Sequence, residues 1–154
     1  MSTRIDPQLA DPTAFKAMMT LQIYVNHSGL EPQLHELVKL RASQVNGCAY
    51  CIDMHSKDAR AMGETEQRIY ALDAWRETPF YSERERAALA WTESVTRIGD
   101  AHVSDALYDQ AHQHFSDQEL IKLTMAVVAI NAWNRWCIAF QVPPGTYQPS
   151  RQVA

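Results

Sequence analysis

Apolar side chains recur along this chain at spacings of three and four, and nowhere at a sustained spacing of two. The first period marks one face of an α-helix, whereas alternation would mark a half-buried strand. After the helix-start combination Asp11-Pro12-Thr13, Phe15, Met18, Met19, Gln22, Ile23 and Asn26 share a face, and His27-Ser28-Gly29 closes the segment. Glu31-Pro32 opens a second helix, Gln33 to Asn46, whose stripe of Leu34, Leu37, Val38, Arg41, Ala42 and Val45 ends at Asn46-Gly47. A third helix runs from Cys48 to Met62 with Gly63 as its stop, and a short fourth covers Glu64 to Leu72 before the break at Thr78-Pro79. Ser82-Glu83-Arg84-Glu85 and Ser116-Asp117-Gln118-Glu119 both have the serine-to-acid spacing of a capping box. The first starts a fifth helix, Glu83 to about Ile98, that buries Ala87, Ala88, Leu89, Trp91 and Val95. Ser104 to His112 is the sixth, and the second box starts a seventh that reaches about Phe140. That last helix is apolar on nearly all sides, which predicts a central position. Val142-Pro143-Pro144-Gly145 stops it, leaving a tail, about 142–154, free to lie over a neighbouring subunit or to stay mobile. The expectation is all-α: a single domain, 1–154, folded as a bundle of about seven helices.

Composition narrows the function. Only 5 Gly and 7 Pro in 154 residues, with 46% hydrophobic content, suit a globular helical chain. A net charge of −4 argues against a nucleic-acid surface. Uninterrupted apolar runs stay short of the ~20 residues a bilayer span needs, so no membrane is expected. The N-terminal Met1-Ser2-Thr3-Arg4-Ile5-Asp6-Pro7 lacks the apolar segment of a signal peptide, which points to the cytoplasm, where thiols stay reduced. Three cysteines are too few for a disulfide framework, so the close pair reads as catalytic or metal-binding.

That pair lies in Asn46-Gly47-Cys48-Ala49-Tyr50-Cys51-Ile52-Asp53-Met54-His55. Positions 48, 51 and 55 are spaced i, i+3 and i+7, which aligns both sulfurs and the imidazole on one helical face. A helix N-terminus offers free N–H groups and partial positive charge, both favouring thiolate. Several readings compete. The cysteines can be buried small hydrophobes, as Cys137 within Trp133-Asn134-Arg135-Trp136-Cys137-Ile138 is read to be. Zinc can take Cys48, Cys51 and His55, but a closed site needs a fourth ligand that no second motif supplies. Ile52 stands where c-type haem attachment requires histidine. A redox dithiol asks least: one thiolate attacks an oxidant and the second closes a disulfide, with His55 in range to accept a proton. Glu36 reads from spacing alone as a solvated surface charge. It reaches His55 only if the second and third helices pack antiparallel.

The run Glu36 to His55 resembles the core motif of the alkylhydroperoxidase D / carboxymuconolactone decarboxylase family: glutamate, eleven residues, then Cys-x-x-Cys-x-x-x-His. The motif covers about 36–63. Trp75-Arg76, Glu83-Arg84-Glu85-Arg86-Ala87-Ala88-Leu89 and Asn131-Ala132-Trp133-Asn134-Arg135 resemble a stand-alone bacterial branch. The resemblance implies an all-helical subunit assembled as a homotrimer or homohexamer, with no metal and no organic cofactor. It implies that Glu36 and His55 deprotonate Cys51, that Cys51 reduces an organic or hydrogen peroxide, and that Cys48 closes the disulfide. A thiol or dithiol protein would then return the electrons. Helix-terminus physics favours Cys48 as the attacking sulfur, so the order of the two stays open. One departure stands out: Tyr50 precedes Cys51 where well-known members have histidine, and a phenol with pKa about 10 accepts no proton near neutrality. Two other activities fit the family: decarboxylation of a small lactone acid, and a non-catalytic helical oligomer that responds to redox state. Trp91, Trp133 and Trp136 read as core packing.

Overall fold

A computed structural model describes residues 4–149. Among these the chain forms eight α-helices and one 3-10 helix, with no strand. They are α1 (Pro7–Ala10), α2 (Pro12–Asn26), α3 (Pro32–Asn46), α4 (Ala49–Ala61) and α5 (Glu66–Ala71), then the 3-10 helix Leu72–Glu77, α6 (Glu83–Thr96), α7 (Asp105–His112) and α8 (Asp117–Phe140). All seven expected helices are present. The eighth, α1, is a single turn held by the Asp6 carboxylate on the Gln8 and Leu9 N–H groups, too short for any hydrophobic period to reveal. The 3-10 helix continues where the fourth segment was expected to stop. Both capping boxes close in the expected sense, the glutamate reaching back to the serine N–H.

The central helix is α3, not α8. It packs against α4, α6 and α8, and buries Leu34, Leu37, Val38, Leu40 and Ala42 together with four polar residues, His35, Glu36, Arg41 and Ser43. Burial of those polar groups is tolerable because each finds a partner. The Arg41 guanidinium binds Glu93 of α6 at 2.7 Å and also Asp73, while the Trp75 indole N–H donates to the same Glu93 at 2.9 Å. This cluster ties α3 to α6 and the 3-10 helix. In contrast, α8 leaves Ile121, Val128 and Ile138 exposed. By length and composition α8 is long and apolar enough to cross a membrane, although charged residues interrupt its apolar run as the sequence indicated. Its Asn131 and Asn134 amides are bonded within the fold, to Thr96 and Ser43.

One apolar core, with Val38, Trp91, Phe115, Leu123 and Val127, lies among α3, α6 and α8; a second, with Leu37, Leu72, Trp75 and Leu89, lies against the 3-10 helix. A third, smaller cluster holds Ala42, Ile130 and all three cysteines. Residues 142–149 of the tail fold back on α4 of their own chain. Asp53 accepts the Gly145 N–H at 3.0 Å, Tyr147 donates to Asp58 at 2.7 Å, and Lys57 donates to the Tyr147 carbonyl at 3.0 Å. Gly145 and Tyr147 are thus tied to their own α4 rather than loose; 150–154 lie outside the described part.

Candidate active site

The site begins at the α3–α4 corner. Gly47 takes φ 68°, the left-handed conformation that a side chain disfavours, and its N–H bonds back to the Gln44 carbonyl. The Cys48 N–H bonds to the Ser43 carbonyl at 3.0 Å, so this residue finishes the cap of α3. The same Cys48 is the N-cap of α4, its Sγ accepting the Cys51 N–H at 3.4 Å. It precedes the helix rather than forming part of it. A sulfur thus stands where serine or aspartate usually caps, and the α4 N–H groups favour its anionic form.

The two motif thiols are not alone. The sulfurs of Cys48, Cys51 and Cys137 all lie within 4.8 Å of one another, and all three residues are buried. Hydrogen bonds from the Cys137 and Cys51 thiols, with the Cys51 N–H and Asn134, draw the Cys48 thiol far below the ordinary cysteine range, against the cost of burial. Cys51 moves up: a hydrogen bond with Cys137 pulls it down, but donation to Cys48, burial and the Cys48 charge prevail. Cys137 is also pushed up, by donation to Cys48 and Cys51 and by burial. These opposed directions favour a single negative charge in the cluster, on Cys48, with Cys51 and Cys137 as thiols.

On the next turns of α4, His55 is buried, its Nδ1 2.9 Å from Glu36 Oε2, and the other oxygen of Glu36 accepts the Lys39 ammonium at 2.6 Å. Glu36 is only 4% exposed, so the expectation of a solvated charge is overturned: the α3–α4 corner folds the carboxylate against the imidazole. Burial raises the Glu36 pKa, but the His55 bond and charge and the Lys39 ammonium outweigh it and hold it at about 2. A carboxylate only accepts, so Nδ1 carries the proton, and in the neutral ring Nε2 is left with a free lone pair. Asp58 lies 3.9 Å from the same Nδ1 and its pKa is raised, chiefly by burial and despite the Tyr147 bond.

Cys51, His55 and Cys137 line a cavity of about 340 Å³ walled largely by Phe15, Met19, Tyr50, Met54 and Trp133. Trp133 packs against the cysteine cluster as expected and also borders this cavity, with its indole N–H on Gln22 at 3.0 Å; Trp91 packs in the first core. Tyr50 is half-buried and its pKa is raised, mainly by burial, so it stays a phenol. A second cavity, about 550 Å³, is lined by Cys48, Tyr50, Cys137, Val142 and Pro143.

The structure brings together all four residues singled out from sequence, as two adjoining groups. The zinc set Cys48–Cys51–His55 does not converge as one cluster. The sulfurs gather with Cys137, and His55 gathers with Glu36 and Asp58. Sequence reasoning missed Cys137, Asp58 and Tyr147, which lie far along the chain from the motif or outside its pattern.

These features coincide with known proteins. The carboxymuconolactone decarboxylase family model matches residues 12–94, from α2 into α6. The uncharacterized Bacillus subtilis protein YdfG is 45% identical over 139 residues, covering 90% of this chain and 95% of its own. A crystal structure of an Agrobacterium tumefaciens protein of unknown function, put forward as an antioxidant defence protein AhpD, is 46% identical with a TM-score of 0.92, covering 95% of this chain and 100% of that one. The debrominase Bmp8 shares the fold at 22% identity, with a TM-score of 0.78 over 88% of this chain and 73% of its own. The matched stretch contains the whole motif from Glu36 to His55, and the chain belongs to the carboxymuconolactone decarboxylase family.

Proposed function

We propose that this chain is a thiol peroxidase that reduces a hydroperoxide through a Cys48–Cys51 dithiol, with Glu36 and His55 as its proton relay. The observation that carries the reading is a buried pair of free cysteine sulfurs adjoining a carboxylate-oriented imidazole, with Cys51 and His55 on one largely apolar cavity. The antioxidant description of the Agrobacterium protein, 46% identical, supports it.

The steps balance as follows. The free Nε2 of His55 takes the Cys51 proton, and the Cys51 thiolate attacks the outer peroxide oxygen. The O–O bond breaks, giving a Cys51 sulfenic acid and an alkoxide that recovers the proton from His55 as alcohol. The Cys48 thiolate then attacks the Cys51 sulfur, and hydroxide leaves and is protonated to water. Two sulfurs have each given one electron. Cys51 takes the attacking role because it shares the cavity with His55, whereas Cys48, already ionised, suits the resolving step. Phe15, Met19, Met54 and Trp133 favour an organic hydroperoxide over hydrogen peroxide. The one ammonium there, Lys39, is already bound to Glu36, which suits an uncharged substrate better than a lactone acid.

A thiol or dithiol protein would re-reduce the disulfide through the second cavity, beside Cys48. The exposed Ile121 and Val128, seven residues apart on α8, would be covered in a homotrimer or homohexamer, which sedimentation would show as a multiple of the 17.5 kDa chain. The function itself is tested by counting thiols before and after one equivalent of cumene hydroperoxide while following peroxide loss. The reading requires two thiols lost per peroxide consumed. Thiols unchanged by peroxide would refute it.

A further inference from the structure

We propose that Cys137 is a third redox-active thiol of this site, which resolves an oxidised Cys48 or Cys51 through an alternative disulfide. This rests on the dithiol reading above and extends it from two sulfurs to three.

The geometry supplies the first argument. A sulfenic acid formed on either motif cysteine faces two sulfurs, not one, because all three lie within 4.8 Å of each other. The second argument is position. Cys137 comes from the last turn of α8 and lines both cavities, the one holding Cys51 and His55 and the one holding Cys48. It is the sulfur common to the two spaces. The third is environment: the cluster is apolar, built with Ala42 and Ile130, with Trp133 and Val142 packed against it. A sulfenic acid there has a neighbouring sulfur within 4.8 Å as its nearest reaction partner.

The chemistry is a condensation. Cys51–SOH and Cys137–SH give a Cys51–Cys137 disulfide, the hydroxyl leaving with the thiol proton as water. The equivalent step from Cys48–SOH gives Cys48–Cys137. In both, the two electrons have already passed to the peroxide, and the thiol reductant that serves the Cys48–Cys51 disulfide returns them by exchange.

The test uses Cys48→Ser and Cys51→Ser, with Cys48→Ala and Cys51→Ala made alongside in case a buried hydroxyl impairs folding. Each is treated with one equivalent of cumene hydroperoxide, its thiols are counted, and its non-reduced peptides are mapped. The expected result is loss of both remaining thiols and a peptide linking Cys137 to the surviving motif cysteine. Adding Cys137→Ser to either variant should leave one thiol lost and a sulfenic acid trapped by dimedone. A single variant that already gives the dimedone adduct, with Cys137 free, overturns the proposal. A parallel oxidation with diamide, which forms disulfides without peroxide, separates the two readings. Linkage to Cys137 under diamide without reaction towards peroxide supports the third thiol and removes the peroxidase reading. Cys137 left free under both oxidants overturns the third thiol, whatever the peroxide does.

Discussion

Replacing Glu36 with glutamine tests the relay and the fold at once. The carboxylate serves two donors, His55 Nδ1–H at 2.9 Å and Lys39 Nζ at 2.6 Å, with one oxygen for each. A carboxamide of the same shape offers one acceptor oxygen, so its NH2 must face one of them. The drop of the Glu36 pKa from 4.5 to about 2 corresponds, at about 1.4 kcal/mol per pKa unit, to roughly 3 kcal/mol of preference for the ionised form. Because the folded value lies below the unfolded one, this stability is fully present above about pH 4.5 and is lost as pH falls towards 2. Glutamine mimics the protonated acid at every pH. Urea unfolding should therefore show Glu36→Gln less stable than the parent by about 3 kcal/mol at pH 7, narrowing to about 1.4 kcal/mol at pH 3. In stopped-flow single turnover, the variant should lose about a hundredfold or more in thiol oxidation rate, as when a general base is lost. An NH2 facing Nδ1 would stabilise the opposite tautomer and consume the Nε2 lone pair. A stability gap that stays constant from pH 7 to pH 3, or full single-turnover rate in a folded variant, would refute the reasoning.

Other consequences are simpler to read. Thiolate absorbance near 240 nm should report about one thiolate per chain in the reduced protein at pH 6, assigned to Cys48 by its loss in Cys48→Ser; silence until above pH 8 would contradict the lowered Cys48 pKa. Cys48→Ser and Cys51→Ser should each lower sustained peroxide turnover with a dithiol reductant, and adding Cys137→Ser to either should abolish it, measured as peroxide remaining with time. Gly47→Ala meets no atom within 4 Å of its new Cβ but must hold φ at 68°, so its urea midpoint should reveal about 1 kcal/mol of destabilisation from backbone strain alone. Asn134 is fully buried, donates to Ser43 and accepts from Asn46. Asn134→Ala should cost about 2–3 kcal/mol in the same experiment, by stranding a buried donor and leaving a gap beside Cys48.

What the sequence made legible is local. Gly47 announces the corner, the serine–glutamate pairs announce the starts of α6 and α8, and the spacing of Cys48, Cys51 and His55 places them on one face. What it hid depends on pairing across elements. Hydrophobic periodicity ranks α8 above α3 as the central helix, because a pattern of residue types scores Arg41 and Glu36 as surface. In the fold Glu93 and Asp73 neutralise Arg41, while Lys39 neutralises Glu36 and His55 hydrogen-bonds to it, and α3 can be enclosed. Cys137 was read as core, and it is buried, but nothing in a chain position 86 residues after Cys51 shows that the two sulfurs meet. The tail was invisible for a similar reason: Tyr147 and Gly145 are held by Asp58 and Asp53 on α4, contacts that no turn or period foretells.

The corner at Gly47 and Cys48 also explains how acid and base functions coexist in so small a space. The chain places one anion at Glu36, matched by Lys39, and one at Cys48, matched only by hydrogen-bond donors. A second thiolate beside the first would be repelled at close range, so Cys51 and Cys137 stay protonated and serve as those donors. Oxidation removes this constraint. Once Cys51 carries a hydroxyl in place of its proton, the Cys48 anion loses a donor and gains an electrophile at the same position, so resolution needs no new ionisation. In the proposed cycle the slow step would then be the deprotonation of Cys51, the one event that must work against an adjacent charge. His55, held by Glu36, lines the same cavity as Cys51, one that Cys48 does not line, so on this reading it is the base that acts there, and Tyr50 as a phenol cannot replace it.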